Sequence, residues 1–352
     1  MGSYKRWEDN TANKTFVALD LGTANVVAYL GGQGIIYNEP STIAYNILHN
    51  EIIAVGMEAY DMVGKTNENT RIVTPLVDGV IADLDAAKDL IRAIFSRIKV
   101  SSLLKNSLVV LACPSSITEL ERNALREVVS ELGAEDILIE EEVKLSAVGA
   151  GVNIWSSFGN LVIDIGGGTT DIAVIASGEI VISRSIKVAG NVLNDEIKKY
   201  IRSEYNVIVG QRTSEKIKKE VGTLSKVEGG RTYRVYGRDI ISGLPREVVV
   251  SQQEIKNCLL GPFSKIIDLI VEIMENTPPE LSSDIIVNGI TVCGGGALIK
   301  GFEDYLKSIF QFKVHIAHDP LMTVIDGARE YEKNIMKWVE VAKGRKEREY
   351  KI

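Results

Sequence analysis

Two aspartates in this 352-residue chain close apolar runs in the same way, and glycine with threonine follows each of them. The first run is Phe16 to Asn25, with Asp20, Gly22, Thr23 and Ala24 near its end; the second is Leu161 to Asp171, with Asp164, Gly166, Gly167, Gly168 and Thr169. A second apolar run comes after each, Val26 to Leu30 and Ile172 to Ile175, so both segments predict a β-hairpin. Small residues at a hairpin tip let backbone N–H groups converge on an anion. An Asp just before the tip can hold a hydrated Mg²⁺ against that anion, because Mg²⁺ takes oxygen ligands and keeps most of its waters. Gly22, Thr23, Ala24 and Asn25 are thus candidates for one end of a phosphate chain, and Gly166, Gly167, Gly168 and Thr169 for the other. Asp20 and Asp164 are the candidate metal-side carboxylates, acting through water.

Either hairpin alone is often only a turn. A third cluster, Gly294, Gly295, Gly296 and Ala297, follows the apolar run Ile285 to Val292 and precedes a helical pattern from Leu298 to Phe310. Strand, glycines and helix in that order bring backbone close to a ligand at a helix N-terminus. Three glycine-rich strand ends predict one nucleotide gripped from both sides in a cleft between two halves.

Strand-like runs at Thr15–Tyr29, Ser107–Ala112, Leu161–Ile175 and Ile285–Val292 must position these groups, and helical patterns alternate with them. Leu84, Leu90, Ile91, Ile94, Phe95 and Ile98 fall at helical spacing. Thr118 to Glu121 is a capping box, after which Leu120, Ala124, Leu125, Val128, Val129 and Leu132 form an apolar stripe. A further helix is expected from Phe263 to Met274, ended by Thr277-Pro278-Pro279. The class is α/β with mixed sheets, and the repeated Asp-hydrophobe-Gly hairpin suggests an internal duplication.

Hydrophobic residues make up 45% and charged residues 25% of the chain, enough for two or three cores. A net charge of −7 argues against a nucleic-acid binder. No stretch approaches the roughly 20 apolar residues of a spanning helix. Met1 to Lys14 is polar and lacks the apolar core of a secretory signal. Cys113, Cys258 and Cys293 sit in apolar runs without metal-ligand spacing, and with the three histidines ungrouped a zinc site is not expected. These features together favour a reducing cytoplasm.

The chain resembles the actin-like ATPase superfamily and, within it, the bacterial actins of the MreB type. The resemblance is carried by Asp20–Asn25, Asn38–Ser41, Asp78–Asp83, Pro114–Thr118, Glu141-Glu142 with Gly149–Gly151, Asp164–Thr170, Ser242–Pro245 and Gly294–Leu298, in that order, over roughly residues 14 to 335. It implies an actin-like (ribonuclease H-like) fold of duplicated domains whose mixed β-sheets are flanked by helices. On that reading residues 1–14 are a polar extension. Residues 15–155 with 320–342 form domain I, with a small subdomain at about 38–75; residues 156–319 form domain II, with a small subdomain at about 191–250. Residues 343–352 are a basic tail. The implied cofactors are ATP or ADP with Mg²⁺. Glu142 matches the residue that positions the hydrolytic water, and Thr169 the other water-contacting position. Read without the resemblance, Glu140, Glu141 and Glu142 are a solvated acidic turn. The segment departs from the family pattern at Val143-Lys144-Leu145, and a lysine there holds open slow or unusual turnover. Glu215 and Lys218 match a Glu-x-x-Lys that lines the adenosine pocket, with Gly295 and Gly296 as the other wall; the plain alternative is an exposed helical ion pair.

The same fold serves filaments, chaperones and sugar kinases, so the site does not settle function. Filament formation through self-contacts is the preferred expectation, with a monomeric sugar- or metabolite-phosphorylating kinase as the alternative. Leu103 and Leu104 match the hydrophobic insertion loop of the bacterial actins, or else merely join helix to strand. The tail carries Lys343, Arg345, Lys346 and Arg348, which anionic lipid would attract by about 1 kcal/mol for each basic residue. The expected location is the cytoplasm, peripheral to the inner membrane surface.

Overall fold

A computed structural model describes residues 14–334, which divide into two units. One unit holds the chain to Ser157, the stretch Ile175–Val181 and the residues from Met322; the other holds Phe158–Val174 and Ile182–Leu321.

In the first unit β1 (Thr15–Leu21), β2 (Asn25–Leu30) and β3 (Gly34–Pro40) run as an antiparallel meander. A small sheet follows, from β4 (Ile43–Asn46), β5 (Glu51–Val55) and β6 (Thr70–Val73), with a short helix α1 (Met57–Asp61) between the last two. The tight pair β7 (Leu76–Val77) and β8 (Val80–Ile81) leads into α2 (Leu84–Arg97), capped by the Asp83 side chain. Strand β9 (Ser107–Cys113), helix α3 (Glu119–Glu131), strand β10 (Asp136–Glu141) and helix α4 (Glu142–Gly149) complete the unit's first chain segment. The main sheet has the order β10-β9-β1-β2-β3, with β1, β9 and β10 parallel. Leu90, Ile91, Ile94 and Phe95 of α2 and Leu125, Val128 and Val129 of α3 share one core with Val17, Leu19, Val109 and Leu111 of the sheet.

The second unit opens with β11 (Asn160–Ile165), β12 (Thr170–Ala176) and β13 (Glu179–Ile186), except for the stretch Ile175–Val181 already given to the first. Helix α5 (Gly190–Tyr205), strand β14 (Val207–Ile208), helix α6 (Gln211–Val221) and the ribbon β15 (Thr232–Asp239) with β16 (Pro245–Ser251) follow. Then come α7 (Gln252–Asn276), α8 (Pro279–Asn288), β17 (Ile290–Cys293), α9 (Phe302–Ile309) and β18 (Val314–Ile316). A last helix, α10, covers 323–334 and belongs to the first unit.

The second main sheet runs β13-β12-β11-β17-β18, with β11, β17 and β18 parallel. Read from its other edge it repeats the first sheet strand for strand: two parallel strands, the Asp-bearing strand, then the two strands that follow it in sequence. Asp20 pairs with Ala112 on the last rung of the β1/β9 ladder, and Asp164 pairs with Cys293 on the last rung of β11/β17. The duplication suggested by two short motifs therefore extends to whole sheets.

Four sequence expectations need correction. The apolar run from Ile285 is helical as far as Asn288, because Pro278-Pro279 starts α8 and Gly289, at φ +83°, ends it; only Ile290–Cys293 is strand. Helix α7 begins at Gln252 rather than Phe263 and passes through Pro262. The Ser251/Glu254 capping box starts it, and Ile255, Leu259, Phe263, Ile266, Ile270 and Ile273 keep one buried stripe across the proline. Residues Gly295–Leu298 form a single 3₁₀ turn, and the α-helix starts only at Phe302, after Gly301 in the left-handed conformation. Leu120 is 78% exposed and stands outside the buried stripe of α3, whose capping box is otherwise as expected.

Candidate functional site

In the first unit the chemistry gathers at the C-terminal ends of β1, β9 and β10. Asp20 lies half-buried beside the turn Gly22–Ala24. A Cβ at Gly22 would come within 2.8 Å of the Asn25 carbonyl oxygen, so the turn needs glycine to close this tightly. Ser41 donates through Oγ to the Gly22 carbonyl and through its N–H to the Ala24 carbonyl at 3.0 Å. Asn25 donates to Asn38 Oδ1 at 3.2 Å. The Gly79 N–H donates to Thr23 Oγ1 at 3.4 Å, and Ser116 Oγ holds the Gly79 carbonyl at 2.9 Å. Residues 38–41, 78–83 and 114–118 are thus the scaffold of this turn.

Cys113 ties the acids of this unit together. Burial pushes its thiol far up, and the negative charges of Glu142 and Asp20 push it further, against the pull of Arg122. Both carboxylates therefore act on one buried sulfur, which brings Asp20 and Glu142 into a single neighbourhood. Glu142 is the first residue of α4, where a helix N-terminus favours negative charge.

The acid run is no solvated turn. Glu140 is buried and accepts a hydrogen bond from Tyr331 Oη at 2.7 Å. Lys144, with no exposed surface, places Nζ 3.5 Å from the same Glu140 oxygen. Helices α4 and α10 meet backbone to backbone: a Cβ at Gly149 would lie 1.9 Å from the Thr323 carbonyl oxygen, and one at Gly327 would lie 1.9 Å from that of Leu145.

In the second unit Asp164 is buried at the end of β11. Gly294 adopts φ +78°, and a Cβ there would stand 2.4 Å from Asp164 Oδ1 and from the Ile165 carbonyl oxygen. One at Gly296 would lie 2.2 Å from the Ile165 side chain. The third glycine cluster is therefore packed directly against the second Asp hairpin. The turn Gly166–Thr169 closes with a 2.9 Å bond from the Gly166 N–H to the Thr169 carbonyl. The first amides of α5 hold it from outside, Gly190 donating to the Gly166 carbonyl at 3.1 Å and Asn191 to that of Gly167 at 2.8 Å. Thr169 is buried.

Lys218 reaches the same place from α6, donating to the Gly190 carbonyl at 2.9 Å. Burial lowers its pKa to about 8, and Glu215 only partly offsets that. Glu215 itself pairs at 2.6 Å with Lys219. Lys218 is accordingly not half of an exposed ion pair; it is a desolvated cation beside the Gly166–Gly167 turn.

Among the described residues, the amides of Thr23, Ala24, Gly167 and Gly168 donate to no backbone carbonyl. Each glycine-rich turn thus offers two N–H groups of the kind that converge on an anion. Also among the described residues, no three His, Cys, Asp or Glu side chains group to hold a metal alone. Asp20 and Asp164 are each, by chemistry, a carboxylate able to hold a hydrated Mg²⁺ through water, since Mg²⁺ takes oxygen ligands and keeps most of its waters.

Leu104 corrects the expected lipid pair: it has no exposed surface and belongs to the core of the first unit, because the 3₁₀ turn Leu104–Asn106 turns it inward. Leu103 remains 38% exposed. Lys343, Arg345, Lys346 and Arg348 lie outside the described residues. The sequence reading missed the buttresses Ser41, Gly79 and Ser116 as individual residues, though each falls inside a segment that carried the resemblance. It also missed Tyr331 as a partner of the acid run, for which no local signal exists.

Residues 14–340 match the family described as MreB/Mbl protein. The cell shape-determining protein Mbl of Bacillus subtilis is 40% identical over 311 residues, which are 88% of this chain and 93% of that one. The cell shape-determining protein MreB of Escherichia coli is 35% identical over 316 residues, 88% and 91% of the two chains. Crystal structures of MreB5 of Spiroplasma citri are similar throughout. The AMPPNP-bound form has a TM-score of 0.88 at 58% identity and covers 94% of this chain and 99% of its own; the ADP-bound form has 0.88 at 59%, covering 93% and 98%.

Proposed function

The chain belongs to the MreB/Mbl family, and from that premise we propose that it is an actin-like ATPase that forms filaments and serves cell shape. It binds ATP and ADP with Mg²⁺ and hydrolyses ATP slowly, in step with polymerisation. The observation that carries the reading is the pair of Asp-Gly-Thr hairpins at the same rung of two sheets of one topology, each with amides free for phosphate. The nucleotide-bound structures of the Spiroplasma relative, AMPPNP in one and ADP in the other, support it.

Each residue then has a task. Thr23, Ala24, Gly167 and Gly168 donate to phosphate oxygens, with Gly22, Asn25, Gly166 and Thr169 shaping the two turns. Bound Mg²⁺ would neutralise charge building on the phosphates, and Asp20 and Asp164 would orient its waters. Glu142, with Thr169, orients the attacking water, its carboxylate accepting a hydrogen bond from it. Lys218 brings a positive charge to the nucleotide, and Glu215, Gly294, Gly295, Gly296 and Ala297 line the adenosine side. The small sheets β5-β4-β6 and β14-β15-β16 are the cores of the two small subdomains. Filaments would lie on the inner membrane surface, held by Leu103 and the basic tail. The family match does not favour a metabolite kinase.

Two measurements test this. With ATP and Mg²⁺ the protein should pellet at high speed, and a persistent monomer across salt and protein concentrations would defeat the filament. Phosphate release should fall sharply in Glu142→Ala while AMPPNP binding survives; an unchanged rate would remove Glu142 from the mechanism.

A further inference from the structure

We propose that Glu140, Lys144 and Tyr331 form a buried network that positions Glu142, an inference that rests on the water-orienting role given to Glu142 above. Glu140 is the last residue but one of β10 and Lys144 lies in the first turn of α4, so their i,i+4 ion pair spans the strand-to-helix corner with Glu142 at its midpoint. Both groups are buried. Removing two charges from water costs about as much as their attraction returns, so a buried pair is weak evidence for stability and better evidence for a fixed geometry. The third member comes from far along the chain. Tyr331 Oη donates to Glu140 Oε2 at 2.7 Å, the oxygen that also faces Lys144 Nζ at 3.5 Å.

The backbone contacts point the same way. Gly149 closes on Thr323, Gly327 closes on Leu145, and Thr323 Oγ1 lies 3.4 Å from Ser146 Oγ. The far end of α4 is thus locked to α10 by glycine contacts, and its near end by Tyr331 through Glu140. A helix held at both ends by one partner cannot change its angle to β10 unless that partner moves. The carboxylate at its first residue inherits that restraint. Lys144 is therefore a positioning residue that acts through Glu140, and α10 is the element whose placement the hydrolytic corner senses.

The test pairs Tyr331→Phe, which deletes one buried hydroxyl, with the double variant Glu140→Gln/Lys144→Met, which removes both charges at nearly constant volume. Affinity for AMPPNP and melting temperature are measured beside single-turnover phosphate release. The network predicts unchanged AMPPNP affinity in both variants. Release should slow on the order of ten- to a hundredfold in the double variant, the loss typical of a misplaced reacting group, and by a smaller factor in Tyr331→Phe. Wild-type release in a folded double variant overturns the proposal, as does a loss that merely follows melting temperature and affinity. If the double variant does not fold, Tyr331→Phe decides alone, with wild-type release counting against the network. Glu142→Ala separates the two ideas: should it abolish hydrolysis while the network variants hydrolyse normally, only the network falls; should it hydrolyse normally, the role of Glu142 falls and the network with it.

Discussion

Replacing Lys218 by Met removes a buried ammonium and keeps most of the side chain's apolar stem. Burial is the main cause of its low pKa, about 8 against the ordinary 10.5, with the neighbouring charge of Lys219 acting in the same direction and Glu215 against it. Between those two values the unfolded chain holds more protons at this position than the folded one, so stability rises with pH across the window. Below about pH 8 the folded protein carries the full desolvation penalty, roughly 3 kcal/mol for a displacement of this size. The Met variant carries none of it. Its stability advantage over the parent should therefore shrink by roughly 3 kcal/mol as pH climbs from 7.5 past 10.5. Urea unfolding of both nucleotide-free proteins at half-unit pH steps measures this, and the tyrosines and other lysines cancel in the difference. A difference that stays flat from pH 8 to 10.5 would show that Lys218 titrates like a surface lysine and would refute the buried-cation account. The same logic makes phosphate-bearing ligands bind more weakly to the parent above pH 8, with no such decline in the variant.

Gly149→Ala should lower stability by about 3 kcal/mol in thermal denaturation, since its Cβ would strike the Thr323 backbone; Gly261→Ala, in open space inside α7, should instead raise it by about 0.5 to 1 kcal/mol. Ser251→Ala should cost about 1 kcal/mol by removing the cap of α7. Burial alone would raise the Glu254 pKa, but hydrogen bonds from Ser251, Tyr205 and Tyr200 hold it at about 2, so its stabilising share is present above the ordinary 4.5 and lost as pH falls toward 2. In Ser251→Ala the acid-unfolding curve should accordingly begin at higher pH. Leu104→Asp should unfold the first unit's core, at a cost of more than about 3 kcal/mol. Leu103→Asp should melt like the parent and sediment less with anionic vesicles; equal sedimentation would remove Leu103 from the lipid surface.

What was legible in the chain was local. Both capping boxes work through residues three apart, and the Thr118–Glu121 box could be read directly. The two Asp hairpins announce themselves by apolar runs around glycine, and their ladders follow. The run from Ile285 was misread because a short apolar stretch suits helix and strand alike, and only Pro279 and Gly289 decide between them. Pro262 hid half of α7, since a proline inside a helix is tolerated only where a buried stripe holds both halves, and burial is a tertiary fact. Of two adjacent leucines, 103 and 104, no periodicity says which turns inward. Lys144 stood out only as a departure from the family pattern; its partner Glu140 is also held by Tyr331, which is contributed by α10.

Chain ends usually tolerate trimming, because few contacts cross to them. Residues 322–334 are an exception. With Gly327 seated against Leu145 and Thr323 against Gly149, this late segment fills a slot beside helix α4, which the chain lays down before the second unit begins. During synthesis that slot stays open until the whole second unit has been made. A nascent or proteolytically clipped chain lacking the segment would leave the backbone of Leu145 and Gly149 uncovered, a surface that the finished subunit does not present.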